Sequence, residues 1–478
     1  VPLGFAVRRS AYFDSVVLMR VAEDARALAG VREVALVMGT PANRAMLAGA
    51  GLLADGAPAT EAADLLAAVS ADTDAALRAG LARVQDLLEA RRGGQGAEAA
   101  AHQGVAPRTT LSAARASGAA TVAVVAVPGP YAALEAHQAL SAGLHVFLFS
   151  DGVSLEDEVA LKRRARRRDL FVMGPECGTA IVQGVGFGFA NRVRRGAVGI
   201  VGASGTGIQE LTTLLHRLGA GVSHAIGTGG RDLHAAVGGV TTLQALERLA
   251  ADDDTRIIAL VSKPPSREVA DAVLAAAAAT GKPVVACLLG YDGAVPAGVR
   301  AAATLEEAAR VAAGVEEGAG PAAAGRATGG ALRGLYTGGT LCDEAARLAG
   351  GRAHRFVDFG AGEYTRGRPH PIIDPARRHA AILAAADEPG VGVLLLDLVL
   401  GDGAHPDPAG ALDPVLAEAH DRARRRAAEL TVVAHVVGTE ADPQDARRQE
   451  ATLRARGVIV CPSNRAAALT ARALADHA

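Results

Sequence analysis

The chain has 478 residues, half of them apolar but only 3% aromatic, no Trp, and a formal net charge of −2. Its length suggests roughly three or four domains. Near-neutrality leaves no global basic field for nucleic acid or a membrane surface, and so few aromatics argue against stacking recognition of single strands or sugars.

In chain order, the opening VPLGFAVRRS lacks the apolar core of a signal peptide. A cytoplasmic protein is therefore expected. Short β runs at 15–19 (SVVLM) and 34–37 alternate with amphipathic helical stretches at 60–69 and 74–90, which predicts a small α+β domain. The Gly-rich, aperiodic stretch 93–106 reads as a linker, so residues 1–104 form the first part.

At 121–127 the run TVAVVAV predicts a strand buried on both faces. A helix at 131–142, a strand at 144–149, an Arg-rich helix around 162–168 and a strand at 171–173 follow. This alternation predicts a parallel, Rossmann-like domain over 105–195. The Arg-rich helix is expected to present a solvated face.

From 196 onward the chain repeats itself. AVGIVGASGTGI at 197–208 and LRGLYTGGTL at 332–341 are each an apolar strand entering a small Gly/Ser/Thr loop that opens a helix. Gly338 follows Ser204 by 134 positions, and Gly360 follows Gly227 by 133. Strands at 256–262 and 283–289 in the first copy match those at 392–399 and 430–437 in the second. Register kept over two loops indicates a tandem duplication of one flavodoxin-like α/β domain, over 196–325 and 326–478. The Gly/Ala-rich 316–331 marks the boundary.

Each repeated loop would present helix N-terminal amides with no bulky side chain in the way, a seat for phosphate or carboxylate. The candidates are Ser204, Gly205, Thr206 and Gly207 in one copy and Gly338, Gly339 and Thr340 in the other. Open parallel sheets bind ligands beyond the carboxyl ends of their strands, so the two copies are expected to pack with pseudo-twofold symmetry about one shared cleft. Gly227, Thr228, Gly229 and Gly230 would close over the ligand. Arg231 would clamp an anion through its planar fork or form a surface ion pair with Asp232. Gly360 and Gly362, with Glu363, Arg366, Arg368 and His370, form either a solvated loop or a substrate loop. Lys263 at a strand end and His405 in GAHPDP are candidates for charge stabilisation and proton transfer. Asp442 and Gln444 in GTEADPQD are placed either to bond an amide or to cap the next helix.

The four cysteines, Cys177, Cys287, Cys342 and Cys461, are dispersed without a CxxC pair, so neither a disulfide framework nor a metal site is expected. Cys177 is expected to be inert.

The segment from Val122 to Gly230 resembles the α-subunit of succinyl-CoA synthetase and the ADP-forming acyl-CoA synthetases, through VAVPGPYAALEAHQAL, MGPECGTAIV, GIVGASGTGIQEL and GTGGRDL. The copy from Leu332 resembles the C-terminal domain of the β-subunit. More narrowly, MGPECGTAI, YTGGTLCDEA, GAHPDP and GTEADPQ resemble the FdrA family. The resemblance implies an α/β fold: a CoA-binding-type domain, two ligase-type domains and the extra N-terminal domain. It also marks departures. No histidine stands in 290–295 (GYDGAV), where that superfamily relays phosphate, and SKPP at 262–265 replaces its acidic partner. RTTLSAAR at 108–115 stands where a glycine-rich coenzyme A loop belongs. No cofactor is firmly implied; coenzyme A is admitted by the family, but its loop is absent.

FdrA-type proteins are similar to one subunit of oxamate carbamoyltransferase, so the resemblance implies phosphate, carbamoyl phosphate and an oxamate-like amide as ligands. It further implies partner subunits in a hetero-oligomer, or a homodimer. An acyl-CoA ligase and a non-catalytic anion-binding scaffold are the alternatives.

Overall fold

A computed structural model describes the chain except for residues 1, 10, 12, 14, 54–56, 62, 100–108, 316–328, 366–367 and 476–478. Among the described residues the chain separates into two compact units: 1–118 with 362–374, and 119–361 with 375–478.

In the first unit β1 (Leu3–Arg8), α1 (Ser15–Arg26), β2 (Val31–Met38), α2 (Pro41–Gly49), β3 (Leu65–Ala71), α3 (Asp74–Ala99) and α4 (Thr110–Ser117) follow one another. Its antiparallel sheet has the order β1-β3-β2. Two sequence expectations fail here. Residues 15–19 begin α1 instead of forming a strand, because Leu18, Val21, Ala22 and Ala25 recur at helical spacing and are buried. Much of 60–69 is the central strand instead of a helix. Leu65, Ala67 and Val69 join one core while Leu66 and Ala68 join another on the opposite face, so burial on both faces overrides the helix propensity of an Ala/Leu segment. The expected linker is helical as far as Ala99, and its remainder lies outside the described residues.

The second unit opens with β4 (Val122–Val125), α5 (Gly129–Ser141), β5 (His145–Leu148), α6 (Leu155–Arg167) and β6 (Val172–Met173), a parallel sheet ordered β4-β5-β6. The strand at 121–127 is not buried on both faces: Val124 is 61% exposed on an edge strand. Next come β7 (Thr179–Val182), β8 (Val185–Gly188), β9 (Arg195–Ala203), α7 (Gly205–Arg217), β10 (Val222–Gly227), α8 (Val240–Ala251), β11 (Ile257–Ser262), α9 (Arg267–Ala278), β12 (Val284–Leu288), β13 (Val299–Ala301) and α10 (Leu305–Ala313). The last part holds β14 (Ala331–Tyr336), α11 (Gly339–Ala349), β15 (Arg355–Asp358), α12 (Gly362–Thr365), α13 (Ala376–Asp387), β16 (Val391–Val399), α14 (Pro408–Arg425), β17 (Thr431–Val437), α15 (Ala446–Ala455), β18 (Ile459–Cys461) and α16 (Asn464–Ala475).

The topology carries the duplication. The first copy has the order β13-β12-β11-β9-β10 and the second β18-β17-β16-β14-β15, the same parallel arrangement, with the hairpin β7-β8 added at the β10 edge of the first. Both follow the doubly wound 2-1-3-4-5 order. We call these copies the two lobes. They meet through α7 against α11 and α10 against α16.

Equivalent residues exchange equivalent bonds across that contact. Glu210 on α7 and Glu344 on α11 lie 134 positions apart. Glu210 accepts from the Asn464 N–H that opens α16, at 3.1 Å, and Glu344 from the Leu305 N–H that opens α10, at 2.7 Å. Each glutamate thus caps the last helix of the other lobe, an acidic group at a positive helix end. Asn464 Nδ2 also donates to Glu344 at 2.7 Å, and His435 Nε2 lies 2.7 Å from Glu210.

The two glutamates titrate in opposite directions. Despite burial, His435 and the Asn464 amide hold Glu210 below its ordinary value, whereas burial pushes Glu344 up to about 7. Glu344 therefore supports folding fully below its ordinary 4.5, and that support is lost as pH rises toward 7. Between those limits the unfolding free energy of the wild type is expected to fall further than that of Glu344→Gln, by about 3 kcal/mol in all. Denaturant titrations at several pH values check this; parallel curves refute it.

Candidate functional site

The first turns of α7 and α11 touch. Ser204 Oγ lies 2.5 Å from Thr340 Oγ1 and also accepts the Gly207 N–H at 2.9 Å, capping α7. The contact is reciprocal: a Cβ on Gly207 would come within 3.2 Å of Thr340 Cγ2, and one on Gly338 within 3.0 Å of Thr206. Ser204 is 4% exposed and Thr340 fully buried. The two loops thus face each other, but close-packed at their centre instead of opening on a roomy cleft.

Their flanks differ. Beside Gly339 stand Lys263 from the end of β11 and Asp358 from the end of β15; a Cβ on Gly339 would collide with both Lys263 Nζ and Asp358 Oδ2. Lys263 Nζ is 3.7 Å from Asp358 Oδ2, and the two side chains are 40% and 21% exposed. Asp358 also accepts the Gly360 N–H at 2.8 Å. Burial raises its carboxyl above the usual range, with Lys263 opposing the shift. This flank therefore offers an ammonium, helix amides and a carboxyl disposed to hold a proton.

Beneath the second loop the structure corrects the expectation of an open seat. Asp397 of β16 accepts the Thr337 and Gly338 N–H groups, each at 2.7 Å, and the Thr337 hydroxyl at 3.0 Å. Its own charge is met by buried Arg378 at 3.0 Å. Those two amides already hold an internal carboxylate. What remains for a ligand at this loop is the first turn of α11 itself, at Gly339 and Thr340. The signal for Asp397 was present in the sequence: a charged residue inside the unbroken apolar run VLLLDLVL must be paired.

Other predicted residues go elsewhere. Gly227, Thr228 and Gly229 do not form a cover but are buried against the preceding segment. A Cβ on Gly227 would strike Thr179 O and Cys177, and Gly229 (φ +86°) lies against Pro175. Gly230 is exposed. Arg231 pairs not with Asp232 but with Glu158, at 2.8 Å, and donates to Val153 O at 2.9 Å. Asp232 meets Lys162 at 2.7 Å, and Lys162 also binds Glu158 at 2.8 Å and Thr228 O at 2.9 Å. So the arginines Arg163, Arg166, Arg167 and Arg168 are exposed, whereas Lys162 is buried on the inner face of α6 between two carboxylates. Removing that ammonium by Lys162→Met should cost about 3–5 kcal/mol, read by denaturant unfolding, because buried Asp232 loses its counter-ion and Glu158 keeps only Arg231.

His405 accepts the Asp407 N–H on its Nδ1 at 3.1 Å, and its carbonyl accepts from Gln444 at 3.2 Å. That bond ties one ring nitrogen, Nδ1, to its own turn. Gln444 also brackets Gly401, while Asp442 holds the Arg192 and Thr439 amides. Asp445, not Asp442, caps α15. Gly360 stands beside Asp358, whereas Gly362 begins a segment of the first unit, tied there by Arg26–Asp374 and by Arg368–Glu33 at 3.7 Å. Arg366 lies outside the described residues. Cys177 is buried and its thiol pushed up to about 12 by that burial.

Residues 110–117 form a helix capped by Thr109 and Ser112, and Gly129 at the start of α5 is packed against the 151–152 backbone; neither offers a pyrophosphate loop. Residues 1–101 contain no Cys or His, and among the described residues no group of three or more His, Cys, Asp or Glu could hold a metal. Nor is any described helix long and apolar enough to cross a membrane.

Three family models match: "AllF, heavy metal-associated domain" over 3–104, "CoA binding domain" over 193–290 and "CoA-ligase" over 335–474. The Escherichia coli K12 protein YahF is 38% identical over 98% of this chain and 97% of its own length. The ADP-forming succinate–CoA ligase α-subunit of Aquifex aeolicus is 29% identical over 36% of this chain and 57% of its own. A solved dinucleotide-forming acetyl-coenzyme A synthetase 1 from Ca. Korarchaeum cryptofilum covers 74% of this chain and 82% of its own at 17% identity and a TM-score of 0.35. The chain belongs to the same family as YahF and, through its CoA-binding and CoA-ligase domains, to the succinyl-CoA synthetase-like superfamily.

Proposed function

We propose that the chain is an FdrA-type carbamoyltransferase subunit, interconverting oxamate plus carbamoyl phosphate with oxalurate plus phosphate. The observation that carries this reading is the meeting of two helix N-termini beside Lys263, in a chain whose turn 290–295 bears no histidine. An acyl phosphate arrives already activated, so its transfer requires positioning and charge stabilisation but neither nucleotide nor phosphohistidine.

In the forward direction the oxamate amide nitrogen attacks the carbamoyl carbon. A C–N bond forms, and the C–O bond to phosphate breaks with its electron pair leaving on phosphate. The amide proton passes to Asp358, whose raised carboxyl suits proton exchange. Lys263 and the first-turn amides at Gly339 and Thr340 stabilise the leaving phosphate. Arg231 takes no step, its guanidinium being engaged by Glu158 and Val153. Further subunits complete the enzyme.

The test is a ligand titration by thermal shift with phosphate, carbamoyl phosphate, oxamate and coenzyme A. A ligand at a hundred times its Kd stabilises by about 2.7 kcal/mol. Stabilisation by phosphate and carbamoyl phosphate, with carbamoyl transfer on adding partner subunits, is the expected result. The second reading, an acyl-CoA ligase, is favoured by the CoA-binding and CoA-ligase matches. Stabilisation by coenzyme A alone would establish it instead.

A further inference from the structure

Among the described residues, Thr179 bears the one buried side-chain hydroxyl without a hydrogen-bond partner; the residue is 1% exposed. Other buried threonines find acceptors close by: Thr212 and Thr213 donate to carbonyls three residues back, Thr241 to Val172 O and Thr242 to Asp232. Buried polar groups are nearly always paired, so one that is not calls for a partner supplied from outside.

Its position says where that partner would sit. Thr179 begins β7 and borders the first turn of α7: the place of a Cβ on Gly205 lies 3.7 Å from Gly178 Cα and 4.0 Å from Thr179 Oγ1. First-turn amides have no intrahelical acceptor, and Ser204 takes only that of Gly207. An acceptor oxygen beside Gly205 would meet helix amides and this hydroxyl together.

The flanks of the touching turns also differ in charge. On the Gly339 side stands the Lys263 ammonium; the atoms nearest the place of a Cβ on Gly205 belong to Gly178 and Thr179, both uncharged. A phosphate dianion favours the ammonium side, and a singly charged carboxylate is adequately met by amides and a hydroxyl.

We propose that Thr179 is a substrate-binding residue whose hydroxyl, with the first-turn amides of α7, holds the carboxylate of the small amide-bearing acid that receives the transferred group. This rests on the acyl-phosphate reading above and adds to it the acceptor's chemical class and its side of the site.

Isothermal titration of the full chain with inorganic phosphate and, separately, with oxamate tests it, using wild type, Thr179→Val and Thr179→Ser. Valine keeps the shape and removes a hydroxyl that bonds nothing in the free protein, so its melting temperature should not fall. Oxamate Kd should rise about ten- to a hundredfold, the loss of a hydrogen bond to a charged group, with phosphate Kd within about twofold. Serine should restore oxamate binding. Unchanged oxamate affinity in Thr179→Val overturns the inference, as does parallel loss of melting temperature and of both ligands, which would mark a structural role. Wild type that binds phosphate but not oxamate also overturns it and leaves the acyl-phosphate reading standing. Wild type that takes up no phosphate overturns that reading and, with it, this inference.

Discussion

Replacing Asp397 by Ala is expected to cost about 3–5 kcal/mol of stability, among the largest single losses this chain can show. The carboxylate is fully buried and accepts from Thr337 N, Gly338 N and the Thr337 hydroxyl. It is also the counter-ion of Arg378, a guanidinium 2% exposed and drawn below its ordinary value by burial. Removing it leaves a buried charge without its counter-ion and two amides without partners in the interior. Denaturant unfolding measures the loss. Because the vacancy would match a small carboxylate, added formate should recover part of the stability in the variant and none in the wild type. A loss below about 1 kcal/mol, or equal response of both proteins to formate, would contradict the assignment of Asp397 as an internal occupant of an anion seat.

Lys263→Met should act on activity and leave stability nearly untouched. With a side chain 40% exposed, paired to Asp358 at 3.7 Å, Lys263 contributes at most about 1 kcal/mol to folding. In the proposed transfer it meets charge that develops on the leaving phosphate, and losing such a group costs about 10²–10³ in kcat. Gly339→Val is expected to match it by a different route, since a side chain there strikes both Lys263 and Asp358. Arg231→Met should leave transfer rates within a few-fold, its guanidinium being spent on Glu158 and Val153. Carbamoyl transfer assays in the presence of partner subunits check all three; full activity in Lys263→Met refutes the role.

Much of this architecture could be read from the chain because duplication supplies its own control. The 134-residue offset pairs the starts of α7 and α11, and the apolar runs at 256–262, 283–289, 392–399 and 430–437 coincide with β11, β12, β16 and β17. Failures came where tertiary burial overrules local preference. LLAAVSA is strand because it is sandwiched between two cores, and SVVLMRVA is helix because its apolar residues line one stripe. Asp358 was missed since nothing in VDFGAG distinguishes a site carboxylate from a strand end. Asp397 and His435 were legible in principle, each a titratable group inside an apolar run, but their partners Arg378 and Glu210 come from helices that spacing alone cannot bring together. The attachment of 362–374 to the first unit through Arg26 and Arg368 leaves no linear trace at all.

The exchange of equivalent bonds by Glu210 and Glu344 makes the contact between the lobes self-complementary, the geometry of an isologous dimer folded into one polypeptide. A covalent tether replaces concentration-dependent assembly with a fixed effective molarity. Once the halves cannot part, they need not stay alike. One carries a serine at the head of its helix, while the other carries glycine there and a permanent carboxylate guest beneath it, so a symmetric scaffold presents two chemically different helix ends.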